Sequence, residues 1–180
     1  RSPYRLISMY EELYGKEIEF EVINPVSLLS ENMTPDILCL LLNELHKVDY
    51  RKYSGVIITH GSDTLSYTAA FAGLLFYHVP VPVVFVASNY PLLQPGSNGL
   101  ANFACGVDFI KEKPACGVFV IYQDDQGKNQ VYLATRLQEA DPYVDQFRDV
   151  TGQAFGRMED GKFIRNEGTG QPSLEEINAN

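Results

Sequence analysis

The chain has 180 residues, 45% apolar and 21% charged, the balance of one globular domain that can build its own core. Its formal net charge is −9 and its pI about 4.7, which disfavours a bulk electrostatic partnership with nucleic acid or anionic lipid, since both need a basic surface. The uncharged stretch from Val79 to Leu100 carries Pro80, Pro82, Pro91 and Pro95, which argues against a membrane helix.

Tyr4 to Tyr14 places Leu6, Ile7, Tyr10 and Leu13 at near-helical spacing, with Gly15 as the stop. Lys16 to Asn24 alternates Ile18, Phe20 and Val22 with Glu17, Glu19 and Glu21, the pattern of a half-buried strand. Pro25 to Met33 reads as a loop. Thr34-Pro35-Asp36 opens a helix with a capping hydroxyl, a proline in the first turn and an acid at the positive end of the dipole. That helix is expected to reach about His46. The β-branched run Gly55 to Thr59 predicts a buried strand, and a helix follows from Leu65 to about Tyr77. Val81 to Val86 predicts another buried strand, Ser88 to Gly99 a loop, and Leu100 to Ile110 a helix. Gly117 to Tyr122 and Gln130 to Leu137, joined by a turn at Asp124 to Gly127, predict a hairpin. Phe163-Ile164 after Asp160-Gly161 predicts a short strand, and Gly168 to Asn180 reads as a polar linker.

Strands alternating with helices predict an α/β fold: a parallel, mixed-edge sheet with helices on both faces and a β-hairpin. In such sheets ligands sit beyond the carboxyl ends of the strands. The loops after Val22, Ile58 and Val86 are therefore expected on one rim. Three cysteines, Cys39, Cys105 and Cys116, make an odd and widely spaced set without a CxxC pair. Buried reduced thiols, and hence a cytoplasmic location, are the reading. No apolar segment behind a basic start marks a signal peptide. The chain opens at Arg1 and enters a helix almost at once, so a preceding segment is expected.

Three rim loops carry groups able to do chemistry. His60-Gly61-Ser62-Asp63-Thr64 joins an imidazole, hydroxyls and a carboxylate ahead of a helix N-terminus, where free N–H groups favour anions. A serine beside an aspartate can form part of a proton relay, although either side chain can equally cap the helix. Ser30-Glu31-Asn32 offers a hydroxyl and a carboxylate to a small polar ligand, with a local serine or Asx turn the more economical reading. Ser88-Asn89-Tyr90 and Ser97-Asn98-Gly99 belong to a loop whose composition suits an ordinary connection. His46 and His78 read as surface histidines. No metal-ligand spacing, phosphate-binding glycine loop or dinucleotide fingerprint is present, so neither metal nor cofactor is expected.

Thr59 to Leu65, on a strand ending Gly-Val-Ile-Ile, resembles the second signature of the bacterial-type asparaginase/glutaminase family, usually THGTDT followed by a helix. Three further stretches resemble that family in order. Ser30 to Pro35 matches its Ser-x-Asp/Asn-Met-Thr-Pro loop. Ala87-Ser88 and Ser97 to Asn102 match its next loop, and Gly156 to Phe163 matches the close of its N-terminal domain.

The resemblance implies an N-terminal α/β domain over residues 1–167 and a linker over 168–180 toward a C-terminal domain. It implies hydrolysis of the side-chain amide of asparagine or glutamine to the acid and ammonia, without cofactor. By position, Ser30 would contact the substrate α-carboxylate and Glu31 its polar backbone groups. Gly61 and Ser62 would line the same site, Ser62 keeping the hydroxyl of the family's threonine. Asp63 would hold the α-ammonium, and Ser88 would stand where a backbone contact meets the leaving amide. Ser62, Asp63 and Glu139 are the catalytic candidates. Glu139 falls where the family places a lysine, and a carboxylate cannot supply the positive charge that lowers a hydroxyl's pKa. The nucleophilic threonine motif of the family would lie upstream of Arg1. The partners implied are a small-molecule substrate and further copies of the chain, as a dimer or tetramer, with no nucleic acid and no membrane. A catalytically silent member that only binds an amino acid or a partner is the alternative that Glu139 favours.

Overall fold

A computed structural model describes residues 3–15, 17–27, 29–141, 143–144, 146–168 and 170–179. Arg1, Lys16 and Asn180, the outer limits of three of the stretches read above, lie outside it.

Helix α1 (Pro3–Tyr14) ends at Gly15, whose φ of +89° suits a residue without a Cβ. Helix α2 (Pro35–Lys47) begins as its sequence prescribes. Thr34 is the N-cap and accepts from the Ile37 amide at 3.4 Å, Pro35 opens the first turn, and Asp36 lies beside the positive end. Strand β1 (Val56–Thr59), helix α3 (Leu65–Leu75), strand β2 (Pro82–Val86), helix α4 (Gly99–Glu112) and strand β3 (Gly117–Gln123) then alternate. Strands β4 (Asn129–Leu133), β5 (Gly156–Glu159) and β6 (Lys162–Arg165) complete the sheet, and helix α5 (Leu174–Asn178) follows.

The six strands lie in sequence order. β1 to β3 run parallel, and β3 to β6 are antiparallel to their neighbours. Alternation within the central strands divides the core in two. Val83, Phe85, Val118, Val120 and Tyr122 face Leu65, Ala69, Ala72 and Leu45 from α3 and α2. Val84, Val86, Phe119 and Ile121 face Leu6, Tyr10, Phe103 and Val107 from α1 and α4. Both faces are covered, which is why β2 is apolar at every position, as buried parallel strands are.

Four expectations need correction. No strand forms over the described residues of 16–24. Ile18 and Phe20 bury against the α1–α4 face instead, Phe20 packing on Tyr10 and Phe103 at ring distances of 5.9 and 5.7 Å. The period-two pattern is satisfied by side-chain burial without a pairing partner. The second hairpin strand stops at Leu133, and Ala134–Arg136 turn as a short 3-10 helix. There Ala134 meets α3 at Gly73, where an added Cβ would lie 3.2 Å from the Ala134 Cβ and 2.8 Å from the Thr135 methyl. A strand at Gly156–Glu159 is gained, paired with Lys162–Arg165 across Asp160-Gly161. Both turn residues have positive φ, +50° and +73°, as a type I′ hairpin demands. Finally, Cys39 is exposed and Cys105 and Cys116 are half-buried, so none is a fully buried thiol.

The stretch read as a linker carries structure of its own. Ser173 and Glu176 form a reciprocal capping box, Leu174 and Ile177 pack on the α1–α4 face, and the Asn178 Oδ1 accepts from the Cys116 amide at 2.9 Å. Among the described residues no helix is long and apolar enough to cross a membrane.

Candidate functional site

Because β1, β2 and β3 are parallel, the loops after Thr59, Val86 and Gln123 leave the sheet on one rim. The His60 amide donates to the Val86 carbonyl at 2.9 Å and ties the first two of these loops together.

Ser30 is drawn into this rim from the loop before α2. It is buried, and its hydroxyl donates to the Asp63 carboxylate. The Thr64 hydroxyl donates to the Ser30 carbonyl at 3.0 Å, so two bonds join loops far apart in sequence. Gly61 completes the contact: a Cβ there would stand 2.6 Å from the Ser30 Cβ, so only hydrogen fits. Neither open alternative for these side chains is realised. Thr64 is the N-cap residue of α3 and no side chain caps that helix, so Asp63 does not serve as a cap. The Ser30 hydroxyl bridges to another loop rather than closing a local turn.

Asp63 and Glu31 are exposed and Ser62 half-buried, each reachable from solvent. The arrangement therefore offers a carboxylate beside a hydroxyl, at the start of a helix whose first N–H groups carry partial positive charge. That pairing suits a zwitterion: the carboxylate takes an ammonium, and the hydroxyl and N–H groups take an anion.

Ser88 stands at the end of β2 with its hydroxyl turned into its own loop. It donates to the Tyr90 carbonyl and lies 2.9 Å from the Ser97 hydroxyl. Among the described residues no hydrogen bond joins it to Ser30, Ser62 or Asp63. Glu139 is exposed, beyond the Leu137–Asp149 bridge, and likewise has no bond to those three. Two surface clefts lie away from this rim, a first formed by α1 with Glu17, Ile18 and Phe20 and a second by Arg51, Lys52, Lys111 and Lys113.

Two residues position the rim in roles the sequence left unassigned, although His60 and Asn102 both stand in stretches singled out above. His60 is held by its Nδ1, which donates to the Gly61 carbonyl at 2.7 Å, while Nε2 is buried with no partner among the described residues. Burial lowers its pKa below the ordinary value, opposed by the Gly61 bond and the Asp63 charge, which favours the neutral ring. Asn102 is wholly buried in α4. Its Nδ2 donates to the Ala87 carbonyl at 2.9 Å and its Oδ1 accepts from the Gln123 amide at 2.7 Å, joining the ends of β2 and β3. A single amide beside Phe103 on an apolar helix face was the available signal. Asn89 and Asn98 reinforce the loop between them, each backbone amide donating to the other's side-chain oxygen at 2.9 Å.

The family profile described as "Asparaginase, N-terminal" matches residues 4–168. An L-asparaginase from Thermococcus kodakarensis is 31% identical over 90 residues, 50% of this chain and 26% of that protein. A glutamyl-tRNA(Gln) amidotransferase component from Archaeoglobus fulgidus is 37% identical over 137 residues, 74% of this chain and 32% of that protein. The solved structure of the thermostable L-asparaginase from Thermococcus kodakarensis superposes with a TM-score of 0.81 at 20% identity, covering 96% of this chain and 50% of that one. The chain thus spans about a quarter to a third of these curated relatives and half of the solved structure.

Proposed function

The chain belongs to the asparaginase family, and on that premise we propose that Ser30, Gly61, Ser62 and Asp63 bind a free amino acid within an amidohydrolase. The reaction is hydrolysis of the side-chain amide of L-asparagine, or of L-glutamine, to the acid and ammonia. The observation that carries this reading is the bond from the Ser30 hydroxyl to the Asp63 carboxylate at the carboxyl end of the parallel strands.

A bound amino acid exchanges that bond for two better ones. Its ammonium takes the Asp63 carboxylate, which frees the Ser30 hydroxyl to donate to the α-carboxylate. Glu31 lies on the same loop and supplies a second acceptor for the ammonium. The Ser62 hydroxyl is the polar group of this rim available to the amide end, where a proton must move as the C–N bond breaks. Ser88 acts through its backbone, since its hydroxyl is already engaged. Three cysteines without a pair suit a cytoplasmic enzyme, and further copies of the chain are its proposed partners.

A second reading rests on the sequence resemblance, by which Glu139 falls where the family places a lysine: the chain then binds an amino acid without activating a nucleophile. The amidotransferase relatives support a further version, in which the ammonia passes to a transferase. Ammonia release from asparagine and from glutamine by the full-length parent decides among them. Release from asparagine that Asp63→Asn abolishes is the expected result. Release that appears only in Glu139→Lys selects the silent reading, and absence of both release and binding defeats the proposal.

A further inference from the structure

We propose that the cleft lined by Arg51, Lys52, Lys111 and Lys113 binds a small phosphate-bearing anion. Four of the chain's 14 basic residues meet there, in a molecule of net charge −9. They come from two separate segments. Arg51 and Lys52 belong to the short 3-10 turn Tyr50–Lys52 before β1, and Lys111 and Lys113 to the end of α4. Both segments lie at the amino-terminal ends of the parallel strands, the rim opposite to Ser30 and Asp63. The inference therefore stands whether or not that other rim binds an amino acid.

Gly55 pins the two segments together. A Cβ there would stand 2.7 Å from Ile110 Cγ1, so the backbone before β1 packs directly on the last turns of α4. Ile110 and Tyr53 complete the walls of the cleft, whose volume of about 450 Å³ is that of a small-ligand site. Tyr53 is half-buried, and its hydroxyl donates to Glu21, which fixes the ring.

The positive charge exceeds what the local acids use. Asp49 pairs with Arg51 at 2.9 Å, Glu21 is taken by Tyr53, and Asp108 lies within electrostatic reach of Lys111. Lys52, Lys111 and Lys113 have neither an ion pair nor a side-chain hydrogen bond among the described residues. The negative end of the α4 dipole accounts for Lys111 and Lys113, but not for Arg51 and Lys52 beside them. Lys113 is also held at a cost. It caps α4 with φ +49°, in the left-handed region where glycine is the easy choice. A strained lysine kept beside three other cations is a charge with a use.

The class of occupant follows from charge. Four cations around one cleft repel each other unless an anion lies between them. The negative charge of the whole molecule turns away long polyanions and anionic membranes, so that anion is small. A phosphate ester gathers close to two negative charges and several acceptor oxygens on one tetrahedral group. Lysine ammonium groups meet such a group as point charges from several directions.

Calorimetric titration of the full-length parent with inorganic pyrophosphate tests this. The expected result is one saturable site per chain, weakened by added salt, with citrate bound several-fold less tightly. Lys52→Gln and Lys113→Gly are each expected to weaken pyrophosphate roughly tenfold. Lys113→Gly also relieves the left-handed strain, so it is expected to melt no lower than the parent. A lysine that served only the end of the helix would be missed in that melt. Lys128→Gln, on the exposed turn before β4, leaves the affinity unchanged. The absence of saturable binding, citrate held as tightly as pyrophosphate, or an affinity untouched by both Lys52→Gln and Lys113→Gly overturns the proposal.

Discussion

The Ser30 hydroxyl donates to the Asp63 carboxylate across 33 positions of sequence, and this one bond joins the loop before α2 to the loop before α3. It exists because the chain between them makes a full excursion through α2 and β1 and returns to the same rim. Gly61 lets the two loops touch, since any side chain larger than hydrogen would occupy the space of Ser30.

Replacing Gly61 with alanine therefore breaks the contact by steric displacement rather than by loss of a polar group. The Gly61→Ala chain is expected to lose about 1–3 kcal/mol of stability, the usual cost of overpacking. Urea denaturation measures this. A double variant that also carries Ser30→Gly removes the obstructing side chain and is expected to recover part of the loss. No recovery would place the strain elsewhere.

The buried imidazole of His60 ties stability to pH. Its pKa is lowered in the folded chain, chiefly by burial, while the unfolded chain titrates near the ordinary value of about 6.5. Between those two values the unfolded state binds more protons, so stability rises with pH there. Acidification from neutrality is expected to destabilise the chain as the pH falls through about 6.5, until the folded-state value is passed. His60→Gln removes that particular slope. Thermal denaturation at a series of pH values reads it, and an identical slope in the variant would refute the assignment.

Asn102 holds the ends of β2 and β3 by two bonds from a single fully buried amide. Asn102→Ala leaves the Ala87 carbonyl and the Gln123 amide without their partner. Each unsatisfied buried group costs about 1–3 kcal/mol, so for the two of them a loss of about 2–6 kcal/mol is expected. Asn102→Leu keeps the volume but not the bonds and is expected to be no better. If Leu restores stability, packing and not hydrogen bonding is the role of this residue.

The parallel half of the sheet could be read along the chain because β1, β2 and β3 are dense in β-branched and aromatic residues, which have few other uses. Thr34-Pro35-Asp36 announced its helix through purely local chemistry, and the helix begins there. Lys16 to Asn24 misled for a physical reason: alternation reports that every second side chain is buried, not that the backbone has a strand beside it. Gly156–Glu159 was hidden because Gly156, Arg157, Met158 and Glu159 carry little strand preference, and only the Asp160-Gly161 turn hints at the pairing. At the site, each loop was legible singly. Their place on one rim followed from the alternation of strands and helices. The bond between them did not, because a serine 33 positions from its acceptor looks from nearby residues like a turn former.

Titration of the 15N-labelled chain with L-asparagine, followed by amide chemical shifts, is the most direct test of the claim that this rim is an amino-acid site. The account predicts saturable shifts confined to Ser30, Glu31 and Gly61 to Thr64, with affinity lowered roughly tenfold or more in Ser30→Ala and in Asp63→Asn. Shifts that cluster instead around Arg51 and Lys113, or an affinity untouched by both substitutions, would contradict it.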